Sequence, residues 1–260
     1  MYATNFHAAT SVGDALAKLS AAEDGRILAG GQTLIPTMKQ RLAAPSDVVS
    51  LAGAGLSGIS SDGGTVTIGS MTTHAEVAAS GDVSAALASL AGGIGDPAVR
   101  HRGTIGGSIA NNDPTADYPA ACLALGATIT TNSREIASED FFAGLFETAL
   151  EENEVITSVT FPAADRAAYA KFPNPASLYA MAGVFVAQVG GEVRVAVTGA
   201  GENGVFRHGG LEEALSGDFS PAAVENVEVS ADGLMSDIHG SANYRAALIK
   251  AMTKRAVAAA

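Results

Sequence analysis

The sequence predicts an α+β protein. Helical and strand patterns alternate through its first half, and a small antiparallel sheet with helices on one side follows. Two kinds of signal carry this. Apolar residues three or four apart alternate with short β-branched runs. Two glycine pairs, Gly63-Gly64 and Gly190-Gly191, interrupt strand-like segments as hairpin turns do.

The elements follow in order. Ser11-Val12-Gly13-Asp14 opens a helix with a Ser-x-x-Asp cap, and Val12, Ala15, Leu16 and Leu19 form its apolar stripe. Arg26 to Ala29 reads as a buried strand running into a glycine-rich turn. Thr33 is the expected cap of a short helix whose Leu34, Met38 and Leu42 share related faces, with Pro36 in its tolerant first turn. Asp47 to Leu51 is a strand. A second segment follows Gly53, with a hairpin about Asp62-Gly63-Gly64 and a capping box at Thr73-His74-Ala75-Glu76. Helices are expected over residues 83–92 and Asp117 to Leu125, and strands over Ala127 to Thr130 and Val155 to Phe161. The character changes near Ala163 to Arg166. Beyond it, Tyr179 to Val189 and Val193 to Val197 are strands, and Leu211 to Leu215, Pro221 to Val227 and Ala242 to Ala258 read as helices.

Composition excludes several function classes. The chain has 260 residues and a formal charge of −12, and its basic residues are scattered apart from Arg100-His101-Arg102 and Lys254-Arg255. A nucleic-acid partner needs a basic footprint, so none is expected. No apolar run is long enough to span a bilayer, and the N-terminus lacks the charged and apolar regions of a secretory signal, so a cytoplasmic protein is expected. The single cysteine, Cys122, rules out an internal disulfide and a thiolate-held iron–sulfur cluster on this chain. Its apolar surroundings point to a structural thiol. Aromatic residues are few and alanine is abundant, which predicts close packing of small side chains.

Two glycine-rich segments carry the chemistry. The first is Ala29-Gly30-Gly31-Gln32-Thr33, and the second is Arg102-Gly103-Thr104-Ile105-Gly106-Gly107-Ser108. Each exposes backbone N–H groups, which bind a diphosphate when they converge. Glycine pairs are also ordinary turn punctuation. Neither segment fits the G-x-G-x-x-G fingerprint, and neither carries a Walker A lysine. Two such loops can hold one diphosphate from two directions, which points to a dinucleotide such as FAD. Asn111 and Asn112 offer further polar contacts. Asp117 fits either an acceptor for ribose hydroxyls or the N-cap of its helix. His7, His74, His208 and His239 have no metal-ligand spacing, so no metal is assigned.

Together these residues resemble a family. Ala29-Gly30-Gly31-Gln32-Thr33-Leu34-Ile35-Pro36, Ile68-Gly69-Ser70-Met71-Thr72-Thr73-His74, Val99 to Ser108 and Asp113-Pro114-Thr115-Ala116-Asp117-Tyr118-Pro119 are similar to segments of the FAD-binding medium subunit of molybdenum hydroxylases, in particular the carbon monoxide dehydrogenase type. Asp237 to Arg245 resembles that family's C-terminal signature, so the likeness runs nearly the whole length. Gln32 stands where many relatives have histidine.

The resemblance implies a vanillyl-alcohol-oxidase-type (PCMH-type) FAD-binding module of two α/β subdomains, followed by a small C-terminal α+β domain with an antiparallel sheet. The boundaries expected are 1–163 for the FAD-binding domain, with subdomains of about 1–52 and 53–163, and 164–260 for the C-terminal domain. It implies a partner large subunit holding a molybdenum cofactor and a small subunit with two 2Fe–2S clusters, assembled as two copies of each of three subunits. The FAD of this chain would take electrons from the clusters and deliver them to an external acceptor. It implies that Ala29, Gly30, Gly31, Gln32, Thr33 and the adjoining Leu34, with Thr104, Ile105, Gly106, Gly107 and Ser108, hold the diphosphate. Asp117 would bind the nucleotide part, Ile156 would make a backbone contact near the flavin, Lys171 would lie near the cofactor, and Tyr179 would cover one face of the isoalloxazine. No residue is assigned a catalytic acid–base role. A free-standing flavin oxidoreductase would want such residues, and a flavin-free scaffold would not need the glycine segments.

Overall fold

The computed structural model describes all 260 residues. Its first layer holds Asn5–Ala8 (β1), Val12–Ala21 (α1), Gly25–Leu28 (β2), Leu34–Lys39 (α2) and Asp47–Ser50 (β3). The three strands form a parallel sheet with β3 central, pairing Asn5 with Asp47 on one side and Gly25 with Asp47 on the other. Ser11 caps α1 by accepting from the Asp14 N–H. Thr33 differs from expectation: its backbone is already helical and its side chain caps nothing. Leu42 falls past the end of α2 and is exposed. The strand β1 carries no alternation in the sequence, and most of its residues are exposed.

The second layer runs through Ile59–Asp62 (β4), Thr65–Gly69 (β5), His74–Ala79 (α3), Ala85–Gly92 (α4), Pro97–Arg100 (α5), Ile105–Asn111 (α6), Tyr118–Leu125 (α7), Thr128–Thr131 (β6), Glu135–Ala137 (β7), Ser138–Phe141 (α8), Phe142–Gly144 (β8), Glu147–Thr148 (β9) and Ile156–Pro162 (β10). Its antiparallel sheet has the order β4-β5-β10-β6-β7, with β8 and β9 forming a separate hairpin. Gly63 and Gly64 both take positive φ in the β4–β5 turn, as the two central positions of such a hairpin require. The capping box at Thr73 and Glu76 forms in full. The second glycine segment is not a loop: Thr104 is an N-cap, and Ile105 to Ser108 are the first turn of α6.

The third layer holds Arg166–Pro173 (β11), Ala180–Val189 (β12), Glu192–Thr198 (β13), Phe206–Arg207 (β14), Gly209–Gly217 (α9) and Ala242–Ala259 (α10). The four strands form an antiparallel sheet in sequence order. Helices cover both its faces, not one. Along β12, Val184 and Val186 pack with Leu211, Ile249 and Met252 of α9 and α10, while Phe185 and Ala187 join the core around α7. Alternate side chains of a strand point to opposite faces, and both faces here are buried. All eight residues of α7 are buried, because it lies between two sheets. Cys122 lies there, fully buried, and burial pushes its thiol well above the ordinary range. Pro221 to Val227 forms only turns. The alanine-rich α10 buries Ala246, Ile249, Met252 and Ala256 in the core of its own layer. No helix is long and apolar enough to cross a membrane.

Candidate functional site

The first glycine segment leaves β2 at Leu28 and turns into α2 at Leu34. Between them, the N–H groups of Ala29, Gly30, Gly31, Gln32 and Thr33 donate to no backbone acceptor in the chain. Ala29, Gly30 and Gly31 are half-buried and Gln32 and Thr33 exposed, so water can reach these donors, and all five residues line one cavity in which a ligand could take water's place. The turn can only be built from glycine. Gly31 has φ +74°, and a Cβ on Gly30 would stand 2.0 Å from the Arg102 carbonyl oxygen. The two glycine segments therefore touch backbone to backbone.

The donors of the second segment, apart from the Thr104 N–H, are spent within the protein. The Gly106 N–H donates to Ser70 O at 2.9 Å, and the Gly107 N–H donates to Thr104 Oγ1 at 3.1 Å. The Ser108 N–H donates to Thr104 O at 3.0 Å. This segment contributes a wall and side chains, not a second row of free N–H groups. Gly107 leaves room beside the first segment: a Cβ there would meet Ala29 Cβ at 3.2 Å.

Between the segments and the third layer lies a cavity of about 740 Å³. That volume is within the ~300–1,000 Å³ of small-molecule and cofactor sites. Of the expected residues, Ala29 to Leu34, Thr104, Gly107, Ser108, Asp117 and Tyr179 line it. The others stand back. Ile105 is wholly buried in the core, and Gly106 is held on Ser70. Asn112 ends α6 in a left-handed conformation and binds the β8–β9 hairpin. Ile156 starts β10 opposite Thr131. Lys171 reaches from β11 to Asp117.

Asp117 does not cap α7. Its carboxylate accepts from the Tyr169 hydroxyl and pairs with Lys171 Nζ at 3.0 Å, while Lys171 also donates to Gly93 O at 2.8 Å. Burial raises the Asp117 carboxyl above the ordinary range, with Lys171 and Tyr169 opposing that rise. Tyr179 lies one residue before β12 rather than within it and is 48 % exposed on the rim. Its hydroxyl is shifted upward by burial and by the charges of Asp113 and Asp117.

His74 also lines the cavity, and no metal or acid–base pattern singled it out. It is nearly buried, its Nδ1 has no partner, and its ring lies 5.4 Å from that of Tyr118. Burial first, and Arg100 second, bring its pKa down to about 4, so the ring is neutral at pH 7. Its place at N1 of a capped helix, two residues after a strand–turn, was the available signal. Phe146, on the β8–β9 turn, lines the cavity with no signal in the sequence.

Residues 2–164 match the family described as the FAD binding domain in molybdopterin dehydrogenase. The carbon monoxide dehydrogenase medium chain of Hydrogenophaga pseudoflava is 35 % identical over 275 residues, covering 98 % of this chain and 96 % of that one. The nicotine 6-hydroxylase medium subunit of Paenarthrobacter nicotinovorans is 36 % identical over 273 residues, with the same coverage of 98 % and 96 %. The solved carbon monoxide dehydrogenase from Hydrogenophaga pseudoflava superposes with a TM-score of 0.88 at 37 % identity, covering 99 % of this chain and 96 % of that one. With a cavity walled by the two glycine segments and this likeness along its whole length, the chain belongs to the FAD-binding medium subunits of molybdenum hydroxylases, an oxidoreductase family whose medium subunit is a flavoprotein.

Proposed function

We propose that this chain is the electron-transfer subunit of a heteromeric molybdenum hydroxylase. Its FAD takes electrons from 2Fe–2S clusters on a partner small subunit and passes them to an external acceptor. A large subunit with the molybdenum cofactor oxidises the substrate, and the complex works in the cytoplasm. Within the chain, residues 1–163 carry the FAD, in subdomains of about 1–52 and 53–163, and residues 164–260 close the site from the other side.

The row of free N–H groups from Ala29 to Thr33 carries this reading. Backbone donors without acceptors suit a diphosphate, and the cavity extends from them in the way a dinucleotide needs. Asp113 and Asp117 line another part of the wall. Their negative charge repels a diphosphate and keeps it at the N–H row, while a carboxylate held by Lys171 and Tyr169 accepts from sugar or ribityl hydroxyls. Tyr179 offers an aromatic face at the rim. When bound, FAD supplies two-electron and one-electron redox chemistry, and the protein supplies binding and orientation. The one cysteine leaves this chain unable to hold a thiolate-ligated cluster, which supports a reading in which the clusters that feed the flavin sit on another subunit.

The test is co-expression with the neighbouring subunits of such an enzyme. A coloured complex in which substrate bleaches the flavin absorbance supports the reading. Flavin that stays oxidised while the clusters are reduced overturns it.

A further inference from the structure

Five non-glycine residues take positive φ: Arg41, Asn112, Phe146, Asn153 and Leu178. Two of them, Phe146 and Leu178, are bulky apolar residues, and both line the cavity. Such residues avoid this region of backbone space, and strain persists where the surroundings over-determine it.

The surroundings of Phe146 can be named. Asn112 ends α6 at φ +42°, a conformation asparagine tolerates. Its buried side-chain amide donates to Gly144 O and to Glu147 O, each at 2.8 Å, clamping both strands of the hairpin that carries Phe146. The Phe146 N–H donates back to Asn112 O at 3.1 Å. The helix that begins at the second glycine segment thus ends by fixing this turn. Phe146 nevertheless stays 60 % exposed, although its neighbour Phe141 is fully buried. Tyr179, Leu178 and Asp113, the residue after Asn112, line the same cavity, and the Asp113 charge acts on the Tyr179 hydroxyl.

We propose that Phe146, positioned by Asn112, packs against the isoalloxazine at the Tyr179 end of the cavity and shields it from solvent. This rests on the FAD reading above. The exposed aromatic surface is covered when the cofactor is bound, and the clamp keeps the ring from collapsing onto the protein.

The test uses the full chain loaded with FAD, read by FAD titration and by iodide quenching of flavin fluorescence. Phe146→Ala is expected to weaken FAD binding about tenfold and to increase the quenching. Phe146→Tyr should restore both, and Leu145→Ala, on the same turn but off the cavity wall, should change neither. Asn112→Ala should reproduce the Phe146→Ala effects and add nothing in the Phe146→Ala background. A Phe146→Ala chain with wild-type affinity and quenching overturns the proposal while leaving FAD binding intact. A wild-type chain that cannot be loaded with FAD overturns both together.

Discussion

Lys171 Nζ and Asp117 Oδ1 stand 3.0 Å apart, with the side chains 9 % and 5 % exposed, and this pair ties β11 to the start of α7 behind the cavity lining. Two desolvated charges are costly unless each has further partners. Here Tyr169 donates to the carboxylate and Gly93 O accepts from the ammonium. The pair is thus both a seam between layers and the support of a cavity-lining carboxylate.

Lys171→Met should strand the Asp117 charge and destabilise the chain by about 3–5 kcal/mol. Adding Asp117→Asn should recover most of that loss. Urea denaturation of the two single variants and the double variant measures the coupling.

Gly30→Ala should disrupt the first glycine segment, since its Cβ would meet the Arg102 carbonyl oxygen at 2.0 Å. The expected cost is about 1–3 kcal/mol of overpacking, with loss of FAD binding as the N–H row shifts. Gly31→Ala, at φ +74°, should cost about 1–2 kcal/mol through backbone strain, with its Cβ also pressing on Ile35 Cγ1 at 3.0 Å and Leu28 Cδ1 at 3.2 Å. Thermal melts with and without FAD separate the two.

Gly107→Leu should abolish FAD binding and leave the fold in place. Its added side chain starts 3.2 Å from Ala29 Cβ and 3.0 Å from Thr104 Oγ1 and grows into the space between the segments. An unchanged far-ultraviolet circular dichroism spectrum with no flavin uptake is the expected result.

The His74 ring, with its pKa brought down from 6.5 to about 4, makes stability fall with acid. Between those values the unfolded chain takes up a proton that the folded chain does not. The stabilisation is complete above pH 6.5 and is lost as pH falls through about 4. The full effect is ~3 kcal/mol. His74→Gln should remove this part of the pH dependence, which chemical denaturation at a series of pH values detects as a flatter profile than wild type.

Much of this was legible in the residues. The cap at Ser11, the capping box at Thr73 and the Gly63-Gly64 hairpin are local devices, and local chemistry set each of them. The first glycine segment was legible for the same reason. What escaped depended on distant partners. The strand β11 has no alternation strong enough to announce it, and it is fixed by pairing with β12. Gly103, Gly106 and Gly107 gave the second segment the look of a loop, yet the Thr104 hydroxyl takes the Gly107 N–H and starts a helix. The roles of Lys171 and Asn112 rest on contacts 54 and 32 or more residues away, which no window of sequence contains. The buried Arg245, expected only as part of a signature, donates to Met181 O and Gly199 O at 2.7 Å each and holds β12 where Tyr179 precedes it.

The most direct measurement is a visible absorption spectrum of the purified full chain after incubation with FAD and removal of the excess, with mass identification of any cofactor released on denaturation. The account predicts flavin bands and released FAD in a ratio near one per chain, and no retention by the Gly107→Leu variant. A wild-type chain that stays colourless, or a Gly107→Leu chain that retains FAD equally well, would contradict the assignment of the cavity between the glycine segments as the flavin site.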